Sequence, residues 1–229
     1  MNVIGLHGKK RRGKDTVAKF AAELLGGDYK LISPADKLKQ LLCEALGIPY
    51  KDSDDAVRIM EDCKDHWTIT VTSDKPWDPG TDGSKHRLIP NWLCKEPVTT
   101  ISGRQLQQYA GNGARGVFGE HFWIDQVLPP ATVYGSEDME RAERMHGLCF
   151  GDTLFIPSVR YINEAQRVHD YGGPVIEVIR PGLPEDDSFI SEQRLPSEFI
   201  NYTIVNDGGL SDLYNKTREA LQHLEMLPA

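Results

Sequence analysis

Gly8-Lys9-Lys10-Arg11-Arg12-Gly13-Lys14-Asp15-Thr16 decides how the chain is read. Its first part matches G-x-x-x-x-G-K. Before it stands a short apolar run, Val3-Ile4-Gly5-Leu6, which predicts a buried parallel strand. After it, Thr16 to Leu25 sets Val17, Phe20, Ala21, Leu24 and Leu25 on one helical face, and Gly26-Gly27 ends the helix. A glycine loop between a strand and a helix start is a phosphate cradle. Glycines let backbone N–H groups curl around phosphate oxygens, and the helix start adds unpaired donors and a positive dipole end. Lys14 then reaches the β- and γ-phosphates. The plain alternative, a glycine turn in a basic loop, fits the flanking strand and helix less well.

The loop assigns Lys10, Arg11, Arg12, Gly13, Lys14, Asp15 and Thr16 to a bound nucleotide, with ATP and Mg²⁺ as the implied cofactors. It departs from the usual pattern at one point: Asp15 follows the lysine, where a Ser or Thr ordinarily holds Mg²⁺. A carboxylate is comfortable in the first turn of a helix but repels phosphate unless a cation lies between. Asp15 is therefore expected at the metal, directly or through water, with Thr16 donating to a phosphate; the alternative is that Asp15 is only a helix-start residue.

Working outward, Tyr29 to Ser33 reads as a second strand, and Pro34 opens a helix with Leu38, Leu41, Leu42, Ala45 and Leu46 inward and Gly47 as its stop. From Pro49 to about Thr100 the pattern degrades into a partly irregular insertion, crowded with turn residues as in Lys75-Pro76-Trp77-Asp78-Pro79-Gly80. A helix is expected from Ser102 to Ala110, broken by Gly111-Asn112-Gly113, and another from Phe122 to Leu128. A charged helical stretch surrounds Glu137–Arg144. Strands follow at Thr153–Ile156, Val175–Ile179 and Tyr202–Val205, with helices at Asn163–Tyr171 and Leu210–Leu224. This order predicts an α/β fold of the P-loop NTPase kind, a parallel sheet with helices on both faces. The expected organisation is a single domain over 1–229, with 50–125 as an inserted acceptor-binding subdomain and 181–196 as a lid.

Composition narrows the class further. The net charge is −8, yet residues 9–14 hold the cations Lys9, Lys10, Arg11, Arg12 and Lys14. An acidic protein with one basic loop suits a small anionic ligand and argues against nucleic acid. No apolar run approaches the roughly 20 residues that span a bilayer. The N-terminal stretch lacks a signal-peptide core, so a cytoplasmic protein is expected, with no membrane partner. Cys43, Cys63, Cys94 and Cys149 are scattered without Cys-x-x-Cys spacing, which fits reduced thiols.

Beyond the loop with its Gly-Lys-Asp-Thr ending, three stretches carry a likeness. They are Ser102-Gly103-Arg104-Gln105-Leu106-Gln107-Gln108-Tyr109-Ala110-Gly111 with Phe122-Trp123, then Ile156-Pro157-Ser158-Val159-Arg160-Tyr161-Ile162-Asn163-Glu164-Ala165 running on to Pro181, and Ile204-Val205-Asn206-Asp207-Gly208. Together they resemble the deoxynucleoside monophosphate kinases of bacteriophages, a divergent branch of the P-loop nucleoside monophosphate kinases. The resemblance implies transfer of the ATP γ-phosphate to a deoxynucleoside monophosphate, in the host cytoplasm where the source is a phage. The acceptor is already an anion, so catalysis would be positioning plus charge neutralisation.

The resemblance implies Lys14, Arg104 and Arg160 as the catalytic cations. Arg104 lies near a helix start, where a cation is mildly unfavourable and a phosphate partner explains it; Arg160 follows a strand end, where α/β sheets place their ligands. Acceptor contacts are expected from Lys37, Gln108, Gly111, Trp123, Ser158 and Glu164 as well, and Asn206 is expected to border the adenine. Arg180 and Arg194 flank the lid. Related kinases commonly carry an Asp where this chain has Ser158, which leaves more of the metal to Asp15. Dephospho-CoA kinase or another small-molecule kinase on this scaffold, and a P-loop protein that binds nucleotide without transfer, are the competing readings. The sequence leaves the assembly open, with a homodimer among the forms.

Overall fold

The computed structural model describes residues 1–9, 11–72, 98–130, 136–182 and 194–228. Lys10 and residues 183–193 of the expected lid lie outside them. Six residues, Asn2–His7, form β1, and from Val3 onward the strand is buried throughout. A strand apolar on both faces belongs inside a sheet with helices over each side. β1 indeed lies at the centre of a five-stranded sheet with β2 (Tyr29–Leu31), β5 (Thr153–Ile156), β6 (Val175–Ile179) and β7 (Tyr202–Val205), in the order β2-β5-β1-β6-β7. All its pairings are parallel, with Gly5 opposite Ile156 on one side and Leu6 opposite Ile176 on the other.

One face of the sheet packs under α1 (Lys14–Leu25) and α8 (Leu210–His223). Ile4, Leu6, Phe155, Ile176, Val178 and Ile204 meet Val17, Ala18, Ala21, Leu213, Ala220 and Leu221 there. The other face carries α7 (Ile162–Asp170), which packs on β1 and β6. A Cβ at Gly5 would come within 2.9 Å of Val159 and 3.2 Å of Val168, so β1 carries its glycine where this helix crosses. α6 (Ser136–His146) precedes β5; its Glu143 pairs with the Met1 amine at 2.6 Å, and Lys30 donates to the His146 carbonyl.

The chain divides into two compact units, Met1–Ser33 with Val127–Ala229, and Pro34–Gln126. The sheet belongs to the first. The expected 50–125 subdomain lies inside the second, which contains α2 (Pro34–Ala45), α3 (Ser53–His66), the antiparallel pair β3 (Thr68–Thr72) and β4 (Val98–Ser102), α4 (Gly103–Phe118) and α5 (Phe122–Asp125). Its core gathers Leu38, Leu42, Ala56, Met60, Cys63, Leu106, Ala110 and Trp123.

Three expectations need correction. The stretch expected to be irregular holds α3, whose Asp52 caps it by accepting the Asp55 N–H at 2.9 Å, and β3. α4 does not break at Gly111-Asn112-Gly113. It runs on to Phe118, because Gly111 lets Leu38 of α2 approach to within 3.2 Å of where a Cβ would be, and Ala114 one turn later is buried. The helix expected over Phe122–Leu128 ends at Asp125. Among the described residues, no helix is long and apolar enough to cross a membrane.

Candidate active site

The phosphate loop leaves β1 at the carboxyl edge of the sheet, where open α/β sheets bind ligands. Two glycines shape it. Gly8 has φ +136°, and a Cβ there would lie 2.4 Å from the Val178 carbonyl oxygen of β6. Gly13 caps α1 in the left-handed conformation, φ +98°, and a Cβ there would lie 2.6 Å from Asn206 Nδ2. Arg11 is also left-handed, φ 64°. Such conformations curl successive N–H groups into an anion-binding concavity.

Side chains close the loop on the sheet. Asn206, just past β7, donates from Nδ2 to the Arg12 carbonyl at 2.9 Å. Arg12 is buried and donates to the Arg180 carbonyl past β6 at 3.4 Å. Lys14 Nζ donates across the loop to the Lys9 carbonyl at 2.8 Å. Asp15 is exposed and Thr16 half-buried in the first turn of α1. The expected border residue Asn206 thus has a structural duty: it supports the loop.

The turn after β5 lies against the end of β1. The Val159 N–H donates to the Leu6 carbonyl at 3.0 Å, and the Val159 carbonyl meets His7 Nδ1 at 2.8 Å. Ser158 and Arg160 flank that fixed residue. Ser158 shares a hydrogen bond with Ser33, a buried hydroxyl past β2 that the sequence did not single out. Arg160 is exposed. Glu164, expected to touch the acceptor, is 4% exposed and serves its own helix: it accepts the Arg160 N–H at 2.7 Å and the Tyr161 N–H at 3.3 Å at the start of α7.

Next to this turn lies a polar row that the sequence reading missed. His7 on β1, Glu177 on β6 and Thr203 on β7 are in register across three strands. Arg194 makes two bonds to Glu177, at 2.7 and 2.6 Å, and Thr203 donates to the same carboxylate at 3.2 Å. The Leu195 N–H then donates to His7 Nε2 at 3.3 Å. Burial pushes the His7 imidazole below its ordinary value; the bond to Val159 and the Glu177 charge oppose this, and Lys14 and Arg194 add to it. The signal was available: a charged residue inside Val175-Ile176-Glu177-Val178-Ile179 must be paired if buried. Arg194, expected in the lid, is that partner.

In the second unit, Ser102 caps α4 through a reciprocal pair with Gln105, and Arg104 follows in the first turn, half-buried. Gln108 lies one turn further on. Lys37 is half-buried on α2. Beside it in sequence, buried Lys39 bonds Asp36 at 3.0 Å and Glu61 at 2.9 Å, and Lys64 also bonds Glu61 at 2.5 Å. Burial works against ionisation of Glu61, yet the ammonium groups of Lys64 and Lys39 hold it down at about 2. Trp123, expected to flank the acceptor base, is 6% exposed; its indole N–H donates to the Gly111 carbonyl at 2.9 Å and its ring meets Phe122 edge-on. The structure thus gives Trp123 and Gly111 a packing role, since a buried indole N–H needs a partner.

Among the described residues, no cluster of His, Cys, Asp or Glu could hold a metal alone. Mg²⁺ ordinarily takes one or two carboxylates with substrate phosphates and water. Asp15, with the Thr16 hydroxyl, fits that sparse donor set.

A central strand, a glycine loop and a helix, in a parallel sheet with helices on both faces, define an α/β fold consistent with a P-loop NTPase. No family model matches the chain. Its sequence is similar to the deoxynucleotide monophosphate kinase of Enterobacteria phage T4, 34% identical over 73 residues, 32% of this chain and 30% of that protein. It is similar to the deoxynucleotide monophosphate kinase of Escherichia phage RB69, 34% identical over 140 residues, 59% of this chain and 52% of that one. A putative deoxynucleotide monophosphate kinase of Acanthamoeba polyphaga mimivirus is 26% identical over 222 residues, 94% of each chain. The chain thus spans about half or less of the two phage relatives it matches.

Proposed function

We propose that the chain transfers the γ-phosphate of ATP to a deoxynucleoside monophosphate, giving the diphosphate and ADP. The observation that carries this reading is the Gly8–Thr16 loop, folded against β6 and propped by Asn206 at the carboxyl edge of the sheet. The names of the similar proteins supply the acceptor class.

In this reading the loop N–H groups and Lys14 hold the β- and γ-phosphates, and Arg11 adds charge from an exposed position. Asp15 and Thr16 would hold Mg²⁺, which supplies charge neutralisation between the phosphates when bound. Arg160 and Ser158 serve the phosphate end of the acceptor; Arg104, Gln108 and Lys37 are kept as acceptor contacts on the family resemblance. No general base is called for, because the attacking oxygen is already anionic. The residues act by orienting two anions and spreading the charge of the transferred group.

The test is a coupled ADP-release assay with ATP·Mg²⁺ against deoxy- and ribonucleoside monophosphates, with dephospho-CoA in the panel. Turnover with a deoxynucleotide is expected. Turnover with dephospho-CoA alone would move the chain to another acceptor class, and silence with ATP still bound would leave a nucleotide-binding protein. Lys14→Ala is expected to lower turnover by about 10³-fold or more while the melting temperature stays near that of the unaltered chain. Retained turnover would remove the phosphate loop from the chemistry.

A further inference from the structure

His7 is the last residue of β1, and the phosphate loop starts at the next position. It is polar yet 6% exposed, and its ring has partners on two separate connections. Nδ1 meets the Val159 carbonyl at 2.8 Å, and Nε2 meets the Leu195 N–H at 3.3 Å. A carbonyl needs a donor and an N–H needs an acceptor, so the pair selects the neutral ring with its proton on Nδ1. Either other form would set donor against donor at Leu195.

Both partners are themselves fixed. Leu195 follows Arg194, which is clamped to buried Glu177 by two bonds of 2.7 and 2.6 Å. Paired, planar bonds of this kind set geometry as well as charge. Val159 is tied to β1 by its N–H on Leu6 at 3.0 Å. The ring thus connects the returning end of the β6–β7 connection to the turn that carries Ser158 and Arg160.

We infer that His7 is a positioning residue, which holds the Ser158–Arg160 turn in the register that receives the acceptor by coupling it to the Glu177–Arg194 clamp. This rests on the phosphoryl-transfer reading and adds to it a residue outside the phosphate loop. The coupling depends on the proton state of the ring. Burial lowers the pKa of the ring, helped by the charges of Lys14 from α1 and Arg194 and opposed by the Val159 bond and by Glu177 from β6. A second proton, on Nε2, would abolish the acceptor for Leu195.

The test uses the full chain and the acceptor that the panel identifies. His7→Gln is expected to worsen acceptor KM or kcat by about tenfold, the effect of one lost positioning hydrogen bond, while the KM for ATP moves less than twofold. Glu177→Gln, which keeps the side-chain shape, should move the same parameters in the same direction, and it carries the test if His7→Gln fails to fold. The ¹⁵N resonances of His7 at pH 7 should report a protonated Nδ1 and a bare Nε2. An active chain whose His7→Gln and Glu177→Gln forms keep the acceptor parameters would overturn the positioning role, as would a ring protonated on Nε2. A chain silent with every acceptor would remove the phosphoryl-transfer reading and this role with it, a result separable from the first because the unaltered protein itself is then inactive.

Discussion

Gly13 has no room for a side chain and no conformational freedom to make it. Its φ of +98° suits glycine, and a Cβ would lie 2.6 Å from the Asn206 amide that supports the loop. Gly13→Ala is expected to destabilise the fold by about 1–3 kcal/mol and to weaken ATP binding at the same time, read by thermal melting with and without nucleotide. Loss of stability with unchanged ATP affinity would mean that the loop reshapes without its prop. Trp123 presents the opposite case, a residue whose family likeness points to substrate and whose surroundings point to packing. It is buried against Phe122 with its N–H committed to Gly111. Trp123→Ala should cost about 3–5 kcal/mol, seen as faster hydrogen exchange in the second unit. Trp123→Phe, which keeps most of the bulk, should leave the acceptor KM near its original value; a large KM change in that milder variant would restore the base-flanking role.

At the scale of elements, α2 and α3 are joined by charge as well as by packing. Glu61 of α3 receives Lys39 of α2 and Lys64 of its own helix, and is held at about 2 against an ordinary 4.5. A carboxylate depressed on folding stabilises above the unfolded value and loses that contribution as pH falls toward the folded one. The acid sensitivity of the second unit should therefore develop below pH 4.5 toward about 2, and Glu61→Gln should flatten that part of the profile in thermal melts. The half-exposed setting of Glu61 keeps the effect modest through solvent screening. The same helix marks the limit of what the sequence gives away. β5, β6 and β7 were legible to the residue, because short apolar runs between turn residues have one good use in a parallel sheet. α3 was not: Ala56, Met60 and Cys63 trace its buried face, but they stand inside the stretch read as an irregular insertion and are interrupted by Asp54, Asp55, Glu61 and Asp62. The loop glycines were legible as local geometry. That Glu177 needs a partner was legible from its apolar neighbours; that the partner is Arg194, and that His7 meets Leu195, was not, because it depends on which residues meet across segments far apart in sequence.

Across the whole molecule, the first strand is the middle of the sheet, and its neighbours β5 and β6 both lie more than half the chain away. Long-range parallel pairing of this kind folds slowly, because loop closure precedes the contacts that reward it. In refolding from denaturant, the ability to bind ATP is expected to appear with the slowest phase, followed by a fluorescent nucleotide in stopped flow. Binding in an early phase would mean that the loop forms without its strands. The reason lies in the support of the loop: Asn206 reaches the Arg12 carbonyl across 194 positions of sequence, and Val178 lies where Gly8 would otherwise carry a side chain. On a ribosome, then, the Gly8–Gly13 stretch emerges well before the strands and the Asn206 side chain that support it. If the loop binds ATP as proposed, a nascent chain should ignore the nucleotide around it until the residue at 206 has left the exit tunnel, and ATP would protect only chains grown past that point.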